Sequence, residues 1–133
     1  MNENTKTYSS KVTFANKELT AREKIKIKDV SACQKLDDLT QNNEHVIINL
    51  DFYAIVSIHN EKADDSDYTN IVVVDKDGSR YVTGSNSFRR SLDDIIDELT
   101  DAGVVDEEDI LIDVYTKPSK NYSGKSFITC SLT

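Results

Sequence analysis

A period-two alternation of apolar and polar residues recurs along this chain, and it constrains the fold more than any other feature. The longest alternating stretch, residues 45–59, predicts a strand that buries one face. One predicted face carries Val46, Ile48, Leu50, Phe52, Ala54, Val56 and Ile58, and the other carries Asn49, Asp51, Tyr53 and Ser57. The chain is therefore predicted to be mainly β.

Shorter alternating or apolar stretches predict the remaining strands. They are residues 11–14, 22–30, 68–74, 79–83, 109–117 and 125–132. In residues 22–30, Ile25 and Ile27 fall on one face of the predicted strand, and Lys24, Lys26 and Lys28 fall on the other. The turn Asp75-Lys76-Asp77-Gly78 joins residues 68–74 and 79–83 into a hairpin, because glycine readily adopts a positive φ.

Only residues 85–102 carry a helical period. The apolar stripe consists of Phe88, Leu92, Ile95, Ile96 and Leu99, with Ser85 or Ser87 as the N-cap and Gly103 at the end. If the hairpin of residues 68–83 is counted with the third strand (45–59), one helix lies between the third and fourth strands, which matches the five-stranded Greek-key barrel called the OB-fold. An α+β sandwich is the competing architecture. We predict a single OB-fold-like domain over residues 11–133, preceded by a flexible polar arm of residues 1–10.

Charge is distributed unevenly along the 133 residues, whose formal net charge is −8. Residues 1–35 carry eight Lys/Arg against four Asp/Glu, residues 36–113 five against twenty, and residues 114–133 three against none. If the fold brings the two basic ends together, an acidic protein can still present one basic face. The acidic side of the helix would then repel a nucleic acid and confine it to the opposite side.

Signatures of several function classes are missing from the sequence. There is no Gly-rich phosphate loop, no Cys/His group at metal-ligand spacing and no Gly-x-Ser-x-Gly. We therefore predict no enzymatic activity, no cofactor and no metal, and we interpret His45 and His59 as separate surface histidines. No apolar run approaches the ~18–20 residues of a membrane span. Without a signal-peptide layout, and with Cys33 and Cys130 far apart, the predicted location is the cytoplasm.

Basic and aromatic residues on outward-facing strand positions suggest a binding surface for single-stranded nucleic acid. Such a ligand needs a basic track for its backbone and flat rings on which its bases stack. The last hairpin supplies Lys117, Lys120, Lys125 and Tyr122 at its tip, and alternation turns Tyr53, Tyr115 and Phe127 outward, with Tyr81 as a further candidate. Other interpretations remain open: the lysines of residues 24–28 could only protect an exposed strand, and Tyr115 could be plain surface. Arg89 and Arg90, in the first helical turn, fit either a phosphate or an ion pair with the acidic loops.

The chain also resembles the single-stranded DNA-binding proteins of small protein-primed phages of Gram-positive bacteria and related plasmid-encoded proteins. The resemblance lies in residues 71–81 (IVVVDKDGSRY), the helical residues 91–97, and the final hairpin up to Ser131-Leu132-Thr133. Residues 25–27 and 48–55 match similar segments of that family. The resemblance implies an OB-fold, sequence-independent coating of single strands in DNA replication or transfer, and no catalysis.

Together these observations predict a bacterial single-stranded DNA-binding protein, with RNA as a second possible ligand. The predicted DNA-binding residues are Lys24, Lys26, Lys28, Lys117, Lys120 and Lys125 for phosphates, Tyr53, Tyr81, Tyr122 and Phe127 for stacking, and Arg80 beside Tyr81. The alternative is an acidic protein-interaction or nucleic-acid-mimic module of a mobile element. The N-terminal arm is a candidate for self-association into a homodimer or larger assembly.

Overall fold

The longest alternating stretch of the sequence becomes the strand around which the fold is built. The computed structural model describes residues 8–62, 66–104, 109–120 and 124–133, and within them seven strands form one mixed sheet curled into a half-barrel. The strands are β1 (Tyr8–Ala15), β2 (Gln34–Lys35), β3 (Val46–Asn60), β4 (Asp67–Asp75), β5 (Arg80–Thr83), β6 (Ile110–Pro118) and β7 (Ser126–Leu132). The helices are α1 (Ala21–Lys28), α2 (Leu36–Leu39) and α3 (Asn86–Asp101). The mainly β class is confirmed.

Strand β3 is long enough to pair with three neighbours. It runs antiparallel to β4 along one edge, while the opposite edge pairs with β6 at its start and β1 at its end. Leu50 marks the overlap, because it pairs with Asp75 of β4 and with Ile110 of β6. The sheet order is β2-β5-β4-β3-β6-β7, with β1 attached to β3 and β2 parallel to β5. The strands predicted from residues 11–14, 45–59, 68–74, 79–83, 109–117 and 125–132 are confirmed.

Helix α3 confirms the one helical pattern of the sequence. Ser85 is its N-cap and accepts a hydrogen bond from the Phe88 N–H at 3.2 Å. Phe88 and Leu92 are fully buried against one side of the sheet, in a cluster with Ile48, Ile71 and others. The start of α3 is also bound to β7, because the Ser87 hydroxyl donates to the Ile128 carbonyl at 2.8 Å.

A β-bulge in β3 overturns the predicted facing of that strand. Leu50 pairs with Asp75 and Phe52 with Val74, so Asp51 is an extra residue that reverses the alternation. After the bulge, Tyr53 lies on the side of the sheet that α3 covers, and Phe52 lies on the other side. The prediction that Tyr53 faces outward is therefore wrong: its side chain is 2% exposed. Both sides of β3 are buried, so β3 is not a half-exposed strand.

The strand predicted over residues 22–30 is also wrong, because this segment forms α1. A capping box starts the helix: the Glu23 N–H donates to the Thr20 hydroxyl at 3.2 Å, and the Thr20 N–H donates to the Glu23 carboxylate at 2.9 Å. Residues two apart on a helix point in nearly opposite directions. Ile27 is therefore 2% exposed and Ile25 is 68% exposed, whereas a strand would have buried both on one face. The three lysines consequently do not form a single row.

The capping box gives a direct test of α1. Replacing Thr20 with Ala removes the side-chain acceptor, and we expect the free energy of unfolding to fall by about 1 kcal/mol. Urea denaturation followed by circular dichroism measures the change. Thr20→Ser keeps the hydroxyl and is expected to retain the wild-type stability. Equal losses in both variants would contradict a capping role for this hydroxyl.

Strand β1 begins inside the predicted N-terminal arm. Tyr8, Ser9 and Ser10 pair with Asn60, His59 and Ile58 of β3. These three residues belong to the sheet rather than to an arm. Residues 1–7, and with them the predicted self-association of the arm, lie outside the described residues. Among the helices of the described ranges, none is long and apolar enough to cross a membrane.

Candidate nucleic-acid interface

The β6–β7 hairpin and the start of α3 enclose a groove of about 680 Å³ whose charged residues are all basic. Arg90 comes from α3, Lys117 from β6, and Lys120 and Lys125 from the connection between the two strands. The remaining lining residues are uncharged and include Phe127 of β7. In the described part of the chain, no carboxylate lies within ion-pair distance of these four cations. The groove is therefore electropositive in a protein of net charge −8.

The hairpin register explains why these side chains meet. Lys117 pairs with Phe127 across the two strands, and the pairing continues past Pro118, where the Ser119 N–H donates to the Lys125 carbonyl at 2.8 Å. Residues that pair directly across two antiparallel strands project to the same face. Arg90 approaches from the other wall because the Ser87–Ile128 hydrogen bond ties α3 to β7 one turn earlier.

An aromatic surface continues from the groove along the outer face of β6. Tyr115 lies two residues before Lys117 on the same face, and the Lys117 Nζ is 5.9 Å from the centroid of its ring. The His45 ring stacks on Tyr115 at 5.1 Å between centroids, and the Tyr115 hydroxyl is 2.6 Å from that of Ser131. Phe127, 37% exposed, lies diagonally across from Tyr115 on β7. Two aromatic rings therefore lie beside the basic groove.

Of the predicted DNA-binding residues, those of the last hairpin lie close to one another in the structure. Lys117, Lys120, Lys125 and Phe127 share one groove, and Tyr122 lies outside the described residues. The alternation of β7 correctly predicts that Phe127 is exposed.

The predicted residues of α1 and β5 lie elsewhere. Lys24, Lys26 and Lys28 are on α1 and line no part of the groove. The Arg80 guanidinium donates to the Lys26 carbonyl at 2.5 Å and so caps the end of α1. Tyr81 is partly buried against the core, and burial, followed by the charges of Asp75 and Asp77, raises its phenol pKa.

The Tyr53 side chain is buried between β3 and α3, so its ring offers no surface on which a base could stack. Its hydroxyl forms a hydrogen bond with the Asp93 carboxylate of α3, and its ring contacts Phe14 at 5.7 Å between centroids. Burial and the bond to Asp93 raise the pKa of this phenol, so it stays protonated at any physiological pH. Tyr53 thus connects β3 to α3.

Arg90 and Tyr115 lie in the groove or beside it but are not among the predicted DNA-binding residues. The sequence offers a signal for Arg90, since a cation near the N-terminus of a helix opposes the helix dipole. The two arginines have different surroundings. Arg89 lies 3.7 Å from the Asp93 carboxylate, as expected for an ion pair, whereas Arg90 lines the groove. For Tyr115, the signal is its position two residues before Lys117.

The two histidines near the ends of β3 bind different carboxylates. His45 Nδ1 is 2.9 Å from Asp113, and His59 Nδ1 is 2.8 Å from Asp67. Each ring therefore has its own partner, as expected for separate surface histidines. Across the described ranges, no three His, Cys, Asp or Glu side chains are grouped as a metal would require.

His59 makes stability depend on pH. The hydrogen bond that the His59 ring donates to the Asp67 carboxylate raises the pKa of the imidazole above its usual 6.5, against a smaller opposing effect of burial. Because the folded-state pKa is the higher one, the stabilisation is complete below the unfolded-state pKa and is lost as pH rises through the folded-state pKa. We expect His59→Gln to be less stable than wild type at about pH 5, with a smaller gap at about pH 8.5. Denaturation at both pH values measures this gap. Asp67→Asn should reduce the gap without abolishing it, because the Glu61 carboxylate also lies 3.6 Å from the His59 ring.

No protein-family model, curated protein or solved structure matches this chain. Membership of the phage and plasmid single-strand binders therefore stays a prediction.

Proposed function

We propose that this protein binds single-stranded DNA in the groove between the β6–β7 hairpin and the start of α3. One observation carries the proposal: four cations and an exposed aromatic ring line a single groove without a carboxylate, in a protein whose net charge is −8. Four cations gathered in one groove repel one another, and a bound polyanion relieves that local repulsion.

The groove and the aromatic surface suit the two halves of a nucleotide. Lys117, Lys120, Lys125 and Arg90 contact the phosphates, and each contact releases condensed counterions. Tyr115 and Phe127 stack with bases, which requires the unpaired bases of a single strand. Stacking accepts any base and lysine contacts read no base edge, so this part of the interface is tolerant of sequence.

We further propose that β3 to β7 with α3 form an OB-like unit. Three observations support it: β3, β4 and β5 form a meander, α3 lies between the third and fourth strands of this set, and β6 returns to β3. In OB-folds the ligand crosses the second and third strands and contacts the loop after the fourth, which here is the β6–β7 connection. Ile27 of α1 is buried with Val72, Val74 and Val82 on the outer side of β4 and β5. The ligand is therefore restricted to the hairpin side.

The acidic residues of α3 support a second candidate function. Asp94, Asp97, Glu98 and Asp101 are exposed between the turn that follows Arg90 and the C-terminal end of the helix. In the DNA-binding proposal they repel the ligand from that region. In the alternative, they contact a basic host protein in place of nucleic acid.

A titration of fluorescent oligo-dT tests the proposal. At low salt we expect binding that weakens about tenfold in Phe127→Ala, since stacking contributes ~1–3 kcal/mol per base. Phe14→Ala is the matched control, because Phe14 is 46% exposed and lies on β1, outside the groove. No binding at micromolar wild-type protein would refute the proposal and favour the acidic-surface alternative. Equal losses in the two variants would place the ligand elsewhere.

A further inference from the structure

A second cavity, of about 490 Å³, lies against the basic groove and shares Ser126 and Phe127 with it. Its chemistry is the opposite of that of the groove. The lining contains the carboxylate of Asp37 and the amides of Gln41, Asn42 and Asn43, but neither lysine nor arginine. Phe127 therefore borders a phosphate-binding groove on one side and a polar cavity without cations on the other.

The cavity wall is anchored to the core. Leu36 is fully buried, and the Thr40 hydroxyl, 1% exposed, donates to the Leu36 carbonyl at 2.8 Å. Asn42 and Asn43 then adopt φ values of 58° and 64°, a left-handed conformation that asparagine tolerates better than most residues. These contacts hold the amide-bearing turn in place beside β6 and β7.

Asp37 is positioned by one of its two carboxylate oxygens. The Thr83 hydroxyl donates to Asp37 Oδ1 at 2.7 Å, and among the described residues no donor binds Oδ2. An ionised carboxylate only accepts hydrogen bonds, so Oδ2 selects a ligand that donates. It also repels phosphate, which leaves the base as the part of a nucleotide that suits this cavity.

Building on the proposed DNA-binding function, we propose that this cavity holds one nucleobase and prefers guanine over thymine. The base stacks on Phe127 while its phosphate lies in the basic groove. Guanine presents two adjacent donors, N1–H and the 2-amino group, to Asp37. Thymine presents a single N3–H between two carbonyl oxygens, which the carboxylate repels. The protein thus coats single strands with a base preference at one position of its site.

Oligo-dT with a single central dG, dI or dT at the same position tests this preference. We expect dG to raise the affinity of wild-type protein about five- to tenfold over all-dT. This is the lower part of the range for a bidentate base contact, because the cavity is open to solvent. Inosine lacks the 2-amino group and is expected to fall between the two. Since dI needs no protein variant, this comparison does not depend on the folding of a mutant.

Asp37→Asn is the matched variant, because its amide oxygen can still accept from Thr83. We expect this variant to bind all-dT at least as tightly as wild type and to lose the preference for dG. Equal wild-type affinities for dG, dI and dT would overturn the base preference while leaving the proposed function intact. A preference that persists in Asp37→Asn would also overturn it. Absence of binding to every oligonucleotide would instead refute the proposed function, and the base preference with it.

Discussion

Replacing Lys117, Lys120 and Lys125 together with glutamine is expected to weaken oligo-dT binding about a hundredfold at ~0.1 M salt. On single strands each phosphate contact adds about 0.7 to the slope of log affinity against log salt, so each is worth about fivefold at that salt concentration. The slope itself is expected to become shallower by about 2. Fluorescence titrations at four salt concentrations measure both quantities.

The matched control removes three lysines from α1. Lys24→Gln, Lys26→Gln and Lys28→Gln change the net charge equally but touch no part of the groove. We expect this triple variant to bind nearly as wild type and to keep the wild-type salt slope. Similar losses in the two triple variants would mean that binding follows overall charge rather than this groove.

Replacing Phe88 with Ala is expected to lower the free energy of unfolding by about 3–5 kcal/mol. Phe88 is fully buried in the first turn of α3, in the cluster that joins this helix to the sheet. A cavity of this size removes both apolar burial and contacts that the neighbouring side chains cannot restore. Urea denaturation measures the loss.

Ile25→Ala serves as the control for Phe88→Ala. Ile25 is 68% exposed on α1, so its replacement is expected to change stability by less than about 0.5 kcal/mol. A large loss there would contradict the assignment of Ile25 to the exposed side of a helix. A small loss in Phe88→Ala would contradict the packing of α3.

The sequence correctly predicted the elements in which the capping residue, the apolar spacing and the turn residue all favour the same structure. The stripe of α3 has a serine cap and a matching apolar period, and the turn at Asp75–Gly78 has a glycine at φ +92°. For α1 the signals conflict. Its alternating isoleucines and lysines favour a strand, but the Thr20–Glu23 capping box favours a helix, and burial of Ile27 alone suits the helix.

The facing of β3 could not be predicted from alternation. A single bulge at Asp51 exchanges the two faces of every following residue, and the alternating sequence continues through it unchanged. Tyr53 was consequently predicted to face outward although it is buried. The predicted placement of Lys117, Lys125 and Phe127 on one hairpin is correct, because it depends only on pairing between residues that are close in sequence.

Arg90 and the cavity beside Phe127 depend on contacts between distant parts of the chain. Arg90 reaches the groove because Ser87 binds Ile128, 41 residues away in sequence. Asp37 reaches the cavity through a bond to Thr83, 46 residues away. A single sequence carries no signal for such pairs.

The most direct measurement is an NMR titration of ¹⁵N-labelled wild-type protein with oligo-dT. If the groove binds the strand, amide shifts should concentrate in residues 124–127 and at Lys117, Ser119, Lys120 and Arg90, while Glu98, Asp101 and α1 change little. Shifts confined to the acidic end of α3 or to α1, or no shifts at all, would contradict a DNA-binding groove at the β6–β7 hairpin.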